Sequence, residues 1–140
     1  MKARDRAAAY GLTALLFLTL DAVWLTATAE RLYRPAIGHL MAPQFAAAPA
    51  VIFYALYLAG MVFFAIAPAL NAGHARIALA RGAALGFLAY ATYDLTNQAT
   101  LRDWPWTLTC IDLAWGTFAT GAASGAAAWL LLRRRAHAST

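Results

Sequence analysis

Four long apolar stretches constrain this chain more than anything else: about Ala8 to Thr28, Ala47 to Leu70, Ile77 to Ala99 and Thr107 to Leu132. Each exceeds the roughly 20 residues that cross about 30 Å of hydrocarbon. Lipid offers no water to backbone N–H and C=O groups, so a segment there must satisfy them internally, and a helix does so. Hydrophobic residues make up 63% of the 140 and charged residues only 12%, where soluble domains carry about a quarter charged. The predicted fold is therefore all-α: one integral membrane domain over residues 1–140, a bundle of four transmembrane helices at about 8–28, 47–70, 77–99 and 107–132.

Cations set the expected orientation. Lys2, Arg4, Arg6, Arg76, Arg81, Arg133, Arg134 and Arg135 fall on the side of the two tails and the second connection, and Arg31, Arg34 and Arg102 on the other. Eight against three places both termini in the cytoplasm. The net charge of +5 serves topology, and no basic stripe interleaves with aromatics, so nucleic acid is not an expected partner. The basic start, apolar run and Ala27-Thr28-Ala29 also resemble a secretory signal with its cleavage site. That stretch is long enough to span, however, and Asp21 and Trp24 interrupt it, so an uncleaved first helix is expected.

Three aspartates then stand out, because Asp21, Asp94 and Asp112 lie inside stretches that otherwise read as lipid-buried helix. A carboxylate in hydrocarbon costs several kcal/mol, so such residues are rare and face a bundle interior or a cavity. Asp21 lies about 10 Å below the outer end of its helix, and Tyr54 and Tyr57 roughly 10–15 Å below the same surface. Asp94 and Asp112 fall within two turns of their own outer ends, so all four helices contribute to one polar layer in the outer half. Helical spacing puts Tyr90, Asp94 and Asn97 on one face, Asp112, Trp115 and Gly116 on another, and Phe17, Asp21, Trp24 and Thr28 on a third. Tyr54, Tyr57, Met61 and Phe64 form an aromatic and sulfur stripe. The pattern D-x-x-W occurs twice, at Asp21…Trp24 and Asp112…Trp115, and chance similarity is the favoured account of that repeat.

Other features have plainer readings. Gly82…Gly86 and Gly121…Gly125 are small-x-x-x-small pairs, expected to pack helices within the chain, with a homodimer interface as the alternative. Trp104 and Trp106, flanking Pro105, are expected in an interfacial aromatic belt, with a lid over the acidic layer as the sharper alternative. Arg31, Arg34 and Arg102 are the cations on the side of the buried acids, where they could reach down to Asp21 or Asp112. The lone Cys110 excludes an intramolecular disulfide and a cysteine metal cluster. His39, His74 and His137 fall in different connections and a tail, so neither a metal nor a cofactor is expected.

Several runs carry a family resemblance: Leu20-Asp21-Ala22-Val23-Trp24-Leu25, Phe53-Tyr54-Ala55-Leu56-Tyr57-Leu58-Ala59-Gly60, Ala89-Tyr90-Ala91-Thr92-Tyr93-Asp94-Leu95-Thr96-Asn97, Trp104-Pro105 and Ile111-Asp112-Leu113-Ala114-Trp115-Gly116. With them the chain resembles the bacterial inner-membrane family catalogued as domain of unknown function 2177. The resemblance implies four transmembrane helices and a bacterial inner-membrane setting, in which the orientation read from the cations would put the first and third connections in the periplasm. It implies no activity.

Desolvation and like-charge neighbours lead the three carboxyls to share protons, with Tyr, Trp and Asn97 groups orienting them. An aromatic-lined space with a few convergent polar groups is the usual form of a small-molecule site. The favoured reading is binding, with modification as an extension, of a lipid-like small molecule among Asp21, Trp24, Tyr54, Tyr57, Tyr90, Tyr93, Asp94, Asn97, Asp112 and Trp115. Were it an enzyme, Asp94 would be the candidate acid or base. The alternatives are a structural polar network in a small assembly subunit and a proton- or cation-coupled transporter.

Overall fold

A computed structural model describes residues 3–138, and Lys2, one of the cations used above for orientation, lies outside them. Helix α1 runs over Ala3–Thr28 and continues through a wide, π-type turn at Ala29–Tyr33 into the short α2, Arg34–Ile37. A single 3-10 turn, Gly38–Leu40, leads to an extended linker and then to α3, Ala47–Met61. A second π-type turn at Val62–Ile66 joins α3 to α4, Ala67–Ala72, along one continuous rod. Helices α5, Ala75–Thr100, and α6, Trp106–Ala138, complete the chain, and no strand occurs among the described residues.

Local chemistry sets these boundaries. Gly73 adopts φ +74°, the left-handed conformation that ends helices, and the His74 N–H returns to the Ala69 carbonyl at 3.1 Å. That tight reversal makes α4 and α5 antiparallel neighbours. At the opposite end Asp103, φ 60°, turns the chain, aspartate being among the few residues with a side chain that tolerate that region. The Pro105 carbonyl then accepts the N–H groups of Leu108 and Thr109, opening α6. Pro68 has no N–H to give the Phe64 carbonyl one turn back, and Arg81 Nη1 of α5 donates to that oxygen at 3.3 Å. Arg81 is therefore anchored on the α3–α4 rod.

The packing is inverted relative to a water-soluble protein. Among the buried residues are Thr13, Asp21, Asp94, Thr109, Asp112, Thr120 and Ser124, whereas Leu15, Val23, Phe45, Val51, Leu56 and Phe63 are each at least 60% exposed. An apolar exterior of this kind marks a surface made for another apolar phase. Exposed threonines fit that exterior by bonding their own helix: Thr19 donates to Leu15, Thr26 to Ala22 and Thr92 to Leu88 at 2.6–2.7 Å.

Two helical stretches, Asp5–Leu40 and Ala47–Ala72, are long and apolar enough to cross a membrane by length and composition. Helices α5 and α6 are as long but fall short in apolarity, because they are built from Gly, Ala, Ser and Thr where they meet. A Cβ on Gly86 would stand 2.0 Å from the Gly116 carbonyl oxygen, and one on Gly82 would stand 2.6 Å from Ser124 Oγ. Gly121 and Gly125 face Ala83 and Leu79 across the same seam. Both small-residue pairs thus serve contact within the chain, bringing α5 and α6 nearly backbone to backbone. A core of Ala9, Val62, Ile66, Ala69, Ala78, Ala127 and Ala128 closes one half of the bundle. Asp5 of α1 pairs with Arg135 of α6 at 3.4 Å, so α1 and α6 run antiparallel and both tails leave from that end.

Candidate functional site

The other half holds the acids, and it is hollow. A cavity of about 370 Å³ is walled by Asp21, Trp24 and Leu25 of α1, Tyr33, Phe53 and Tyr54 of α3, Ala89, Tyr90 and Tyr93 of α5, and Asp112 and Trp115 of α6. Leu25, Phe53 and Tyr93 are 43–57% exposed and form its rim, while Asp21 and Asp112 are buried.

Two similar half-sites face one another. In the first, the Tyr54 hydroxyl donates to Asp21 Oδ2 in a short hydrogen bond. In the second, the Tyr33 hydroxyl donates to Asp112 Oδ1 at 2.5 Å and accepts from Trp24 Nε1 at 3.0 Å. The indoles of Trp24 and Trp115 stack on the wall of the same cavity, 4.4 Å apart and 7° from parallel. The two D-x-x-W patterns, read from sequence as a coincidence, thus meet in space and share one aromatic stack. Helix periodicity explains the geometry: Asp and Trp three residues apart lie on one face, and antiparallel α1 and α6 turn those faces toward each other.

Asp94 is fully buried, and its carboxyl lies within hydrogen-bonding reach of that of Asp112, with no N–H or hydroxyl donor to it among the described residues. It lies against Asp112 and off the cavity wall. Trp115 Nε1 is likewise buried without a partner among the described residues. Orphaned polar groups inside a protein are costly and uncommon, so each marks a place where something besides packing shapes the sequence.

The sequence-predicted set divides accordingly. Asp21, Trp24, Tyr54, Tyr90, Tyr93, Asp112 and Trp115 line the cavity, whereas Tyr57, Asp94 and Asn97 do not. Tyr57 sits deeper, in a hydrogen bond of 2.8 Å with Thr120 and against Phe17, with ring centroids 5.4 Å apart. The Asn97 backbone carbonyl accepts the Leu101 N–H at the end of α5. Sequence reasoning missed Tyr33 and Phe53. Tyr33 reaches the site because the π-type turn after α1 carries the chain back over the bundle, and the aromatic residue in that connection was the available signal. Phe53 directly precedes Tyr54 and stacks on Tyr57 at 5.3 Å.

Two neighbouring expectations are corrected. Arg31, Arg34 and Arg102 do not reach the acids: all three are exposed, and Arg34 pairs with Glu30 at 2.8 Å. Arg31 lies in the π-type turn, Arg34 in α2 and Arg102 in the α5–α6 turn, all at the surface, and phenols rather than guanidinium groups meet the Asp21 and Asp112 carboxyls. Trp104 is not a belt residue, being 6% exposed. Its indole donates to Thr109 Oγ1 at 3.1 Å, Thr109 donates to Gln98 Oε1 at 3.0 Å, and Gln98 Nε2 donates to the Trp104 carbonyl at 2.7 Å. This closed triangle locks the α5–α6 turn, while Trp106, 64% exposed, keeps the outward position expected of an interfacial indole.

No curated protein and no solved structure matches the chain. A match over residues 6–129, which takes in every half-site residue just described, shows that the chain belongs to the predicted membrane protein family DUF2177.

Proposed function

We propose that this is a four-span protein of the bacterial inner membrane, with both termini in the cytoplasm, that binds a lipid-like small molecule in the periplasmic half of its bundle. The cavity between the Asp21 and Asp112 half-sites carries the reading. Its volume of about 370 Å³ falls within the range of ordinary ligand sites, and its walls are aromatic with a few convergent polar groups. Exposed Leu25, Phe53 and Tyr93 at the rim support entry from the acyl-chain region.

The rival structural-network reading accounts for the phenol–carboxylate bonds but leaves the buried Trp115 indole N–H without a partner among the described residues, where a network kept for cohesion satisfies its members. Transport fits less well than binding, since the buried carboxyls among the described residues are Asp21, Asp94 and Asp112, and the half holding Ala9, Val62, Ile66 and Ala127 has none to continue a relay. Asp94, set behind Asp112, supports a role through that carboxyl rather than at a reacting atom.

The test is to block the cavity. Wild-type protein and Ala89→Leu, which fills a wall position, are extracted into native nanodiscs and their retained molecules compared by mass spectrometry. The expected result is one amphiphile at near-stoichiometric level in the wild type, lost in the variant while helix content and melting temperature persist. Bulk lipid alone in both samples would sink the proposal.

A further inference from the structure

We propose that the head of the bound molecule carries a positive charge, as a quaternary ammonium or a protonated amine held between the two half-sites. This rests on the cavity being a ligand site and adds the ligand's chemical class.

Charge is the first argument. Asp21 and Asp112 both line the space, and no Lys, Arg or His is among the lining residues. The nearest cations on that side, Arg31, Arg34 and Arg102, are exposed at the surface. A buried acid pair with no cation of its own is costly, and an incoming positive group is the complement it lacks. The phenols of Tyr54 and Tyr33 each engage one oxygen of a carboxylate, Oδ2 of Asp21 and Oδ1 of Asp112, without delivering charge.

The aromatic lining is the second, independent argument. The stacked Trp24–Trp115 pair and the rings of Tyr90 and Tyr93 surround the same space. Aromatic faces attract cations through the ring quadrupole, most strongly when water is excluded, and rings around a small cavity are the recurrent solution for ammonium groups. An anionic head would lie against Asp21 and Asp112, and of the donors on the wall those of Tyr33, Tyr54 and Trp24 are committed to neighbours, which leaves the Trp115 indole N–H as a buried donor without a partner among the described residues. The volume of about 370 Å³ suits a compact head, with the tail leaving past exposed Leu25 and Phe53.

The experiment holds the tail constant and varies the head. Octyltrimethylammonium, octyldimethylphosphine oxide and octyl sulfate supply cationic, neutral and anionic heads. Each is titrated, below its micellar concentration, into the full chain in maltoside micelles while tryptophan emission is followed. The cationic head is expected to bind at least about tenfold more tightly than the neutral one. That preference should collapse in the doubly substituted Asp21→Asn/Asp112→Asn protein, where the amide oxygens still accept the phenol bonds. Equal binding of neutral and cationic heads, abolished by Ala89→Leu, would overturn the positive charge and leave the cavity reading intact. Tighter binding of the sulfate would do the same. Binding of no head that responds to Ala89→Leu would overturn both. The wild-type comparison of three heads decides the matter even if the asparagine variants do not fold.

Discussion

Tyr33 shows how much one side chain can organise at the residue scale. Its hydroxyl accepts from Trp24 and donates to Asp112, so it joins α1 to α6 through two hydrogen bonds while itself lying outside both helices. Removing the hydroxyl leaves a buried carboxylate oxygen and an indole N–H without partners. Tyr33→Phe should therefore lower stability by about 1–3 kcal/mol, read as a drop in melting temperature in micelles. Tyr54→Phe should cost less than Tyr33→Phe, because it removes one hydrogen bond, to Asp21, where the other removes two. Sequence pattern found the helical members of this site because periodicity assigns faces to Asp, Trp and Tyr on a helix. It had no rule for a tyrosine nine residues beyond Trp24 in a connection, since where a connection folds is decided by the surface beneath it. Asp94 and Asn97 were placed on the right helix and beside the right neighbours. Which of several adjacent groups faces a cavity depends on rotation of a helix by a few tens of degrees, and spacing alone cannot set that.

The seam between α5 and α6 separates glycines that are structural from those that are tolerated at the element scale. Gly86→Ala would drive a Cβ to 2.0 Å from a backbone oxygen of Gly116, which no rotamer change relieves. The expected loss is at least about 1–3 kcal/mol, with the helices forced apart. Gly116→Ala would press on the Tyr90 ring at 2.2 Å and so disturb the cavity wall as well as the seam. By contrast Gly11, with nothing within 4 Å of an added Cβ, should gain about 0.5–1 kcal/mol as alanine. Gly73→Ala tests the reversal between α4 and α5: its φ of +74° should cost about 1–2 kcal/mol in any other L residue. Thermal unfolding of the four variants side by side in the same micelle checks this ordering. The long apolar stretches were legible because their length and composition leave one solution in lipid, and the helix ends near Gly73 and Pro105 followed from residue chemistry. The two π-type turns were not legible, because each is a compromise between neighbouring helices rather than a local preference.

The whole molecule divides into a half packed from small and aliphatic side chains and a half that holds the acids and most of the rings around them. The tie between Asp5 and Arg135 joins the start of α1 to the end of α6 in the half away from the acids, which makes the proposed topology a single question. In a Cys110→Ser background, Asp103→Cys should react with a membrane-impermeant maleimide on intact cells, and His74→Cys only after lysis. Labelling in the reverse order would invert the orientation and move the cavity to the cytoplasmic leaflet. The seam also has a mechanical consequence. Where two backbones touch, there is no layer of side chains to slide or repack, so α5 and α6 move as one rigid body. Helix α1 is held to that body by the Tyr33–Asp112 hydrogen bond and the Trp24–Trp115 stack, α3 by the Tyr57–Thr120 bond, and the two to each other by Tyr54–Asp21, contacts that break and re-form without unfolding a helix. The protein is thus built like a clamp with one fixed jaw. The aperture of its cavity is set by α1 and α3, and it is there that occupancy would register as motion.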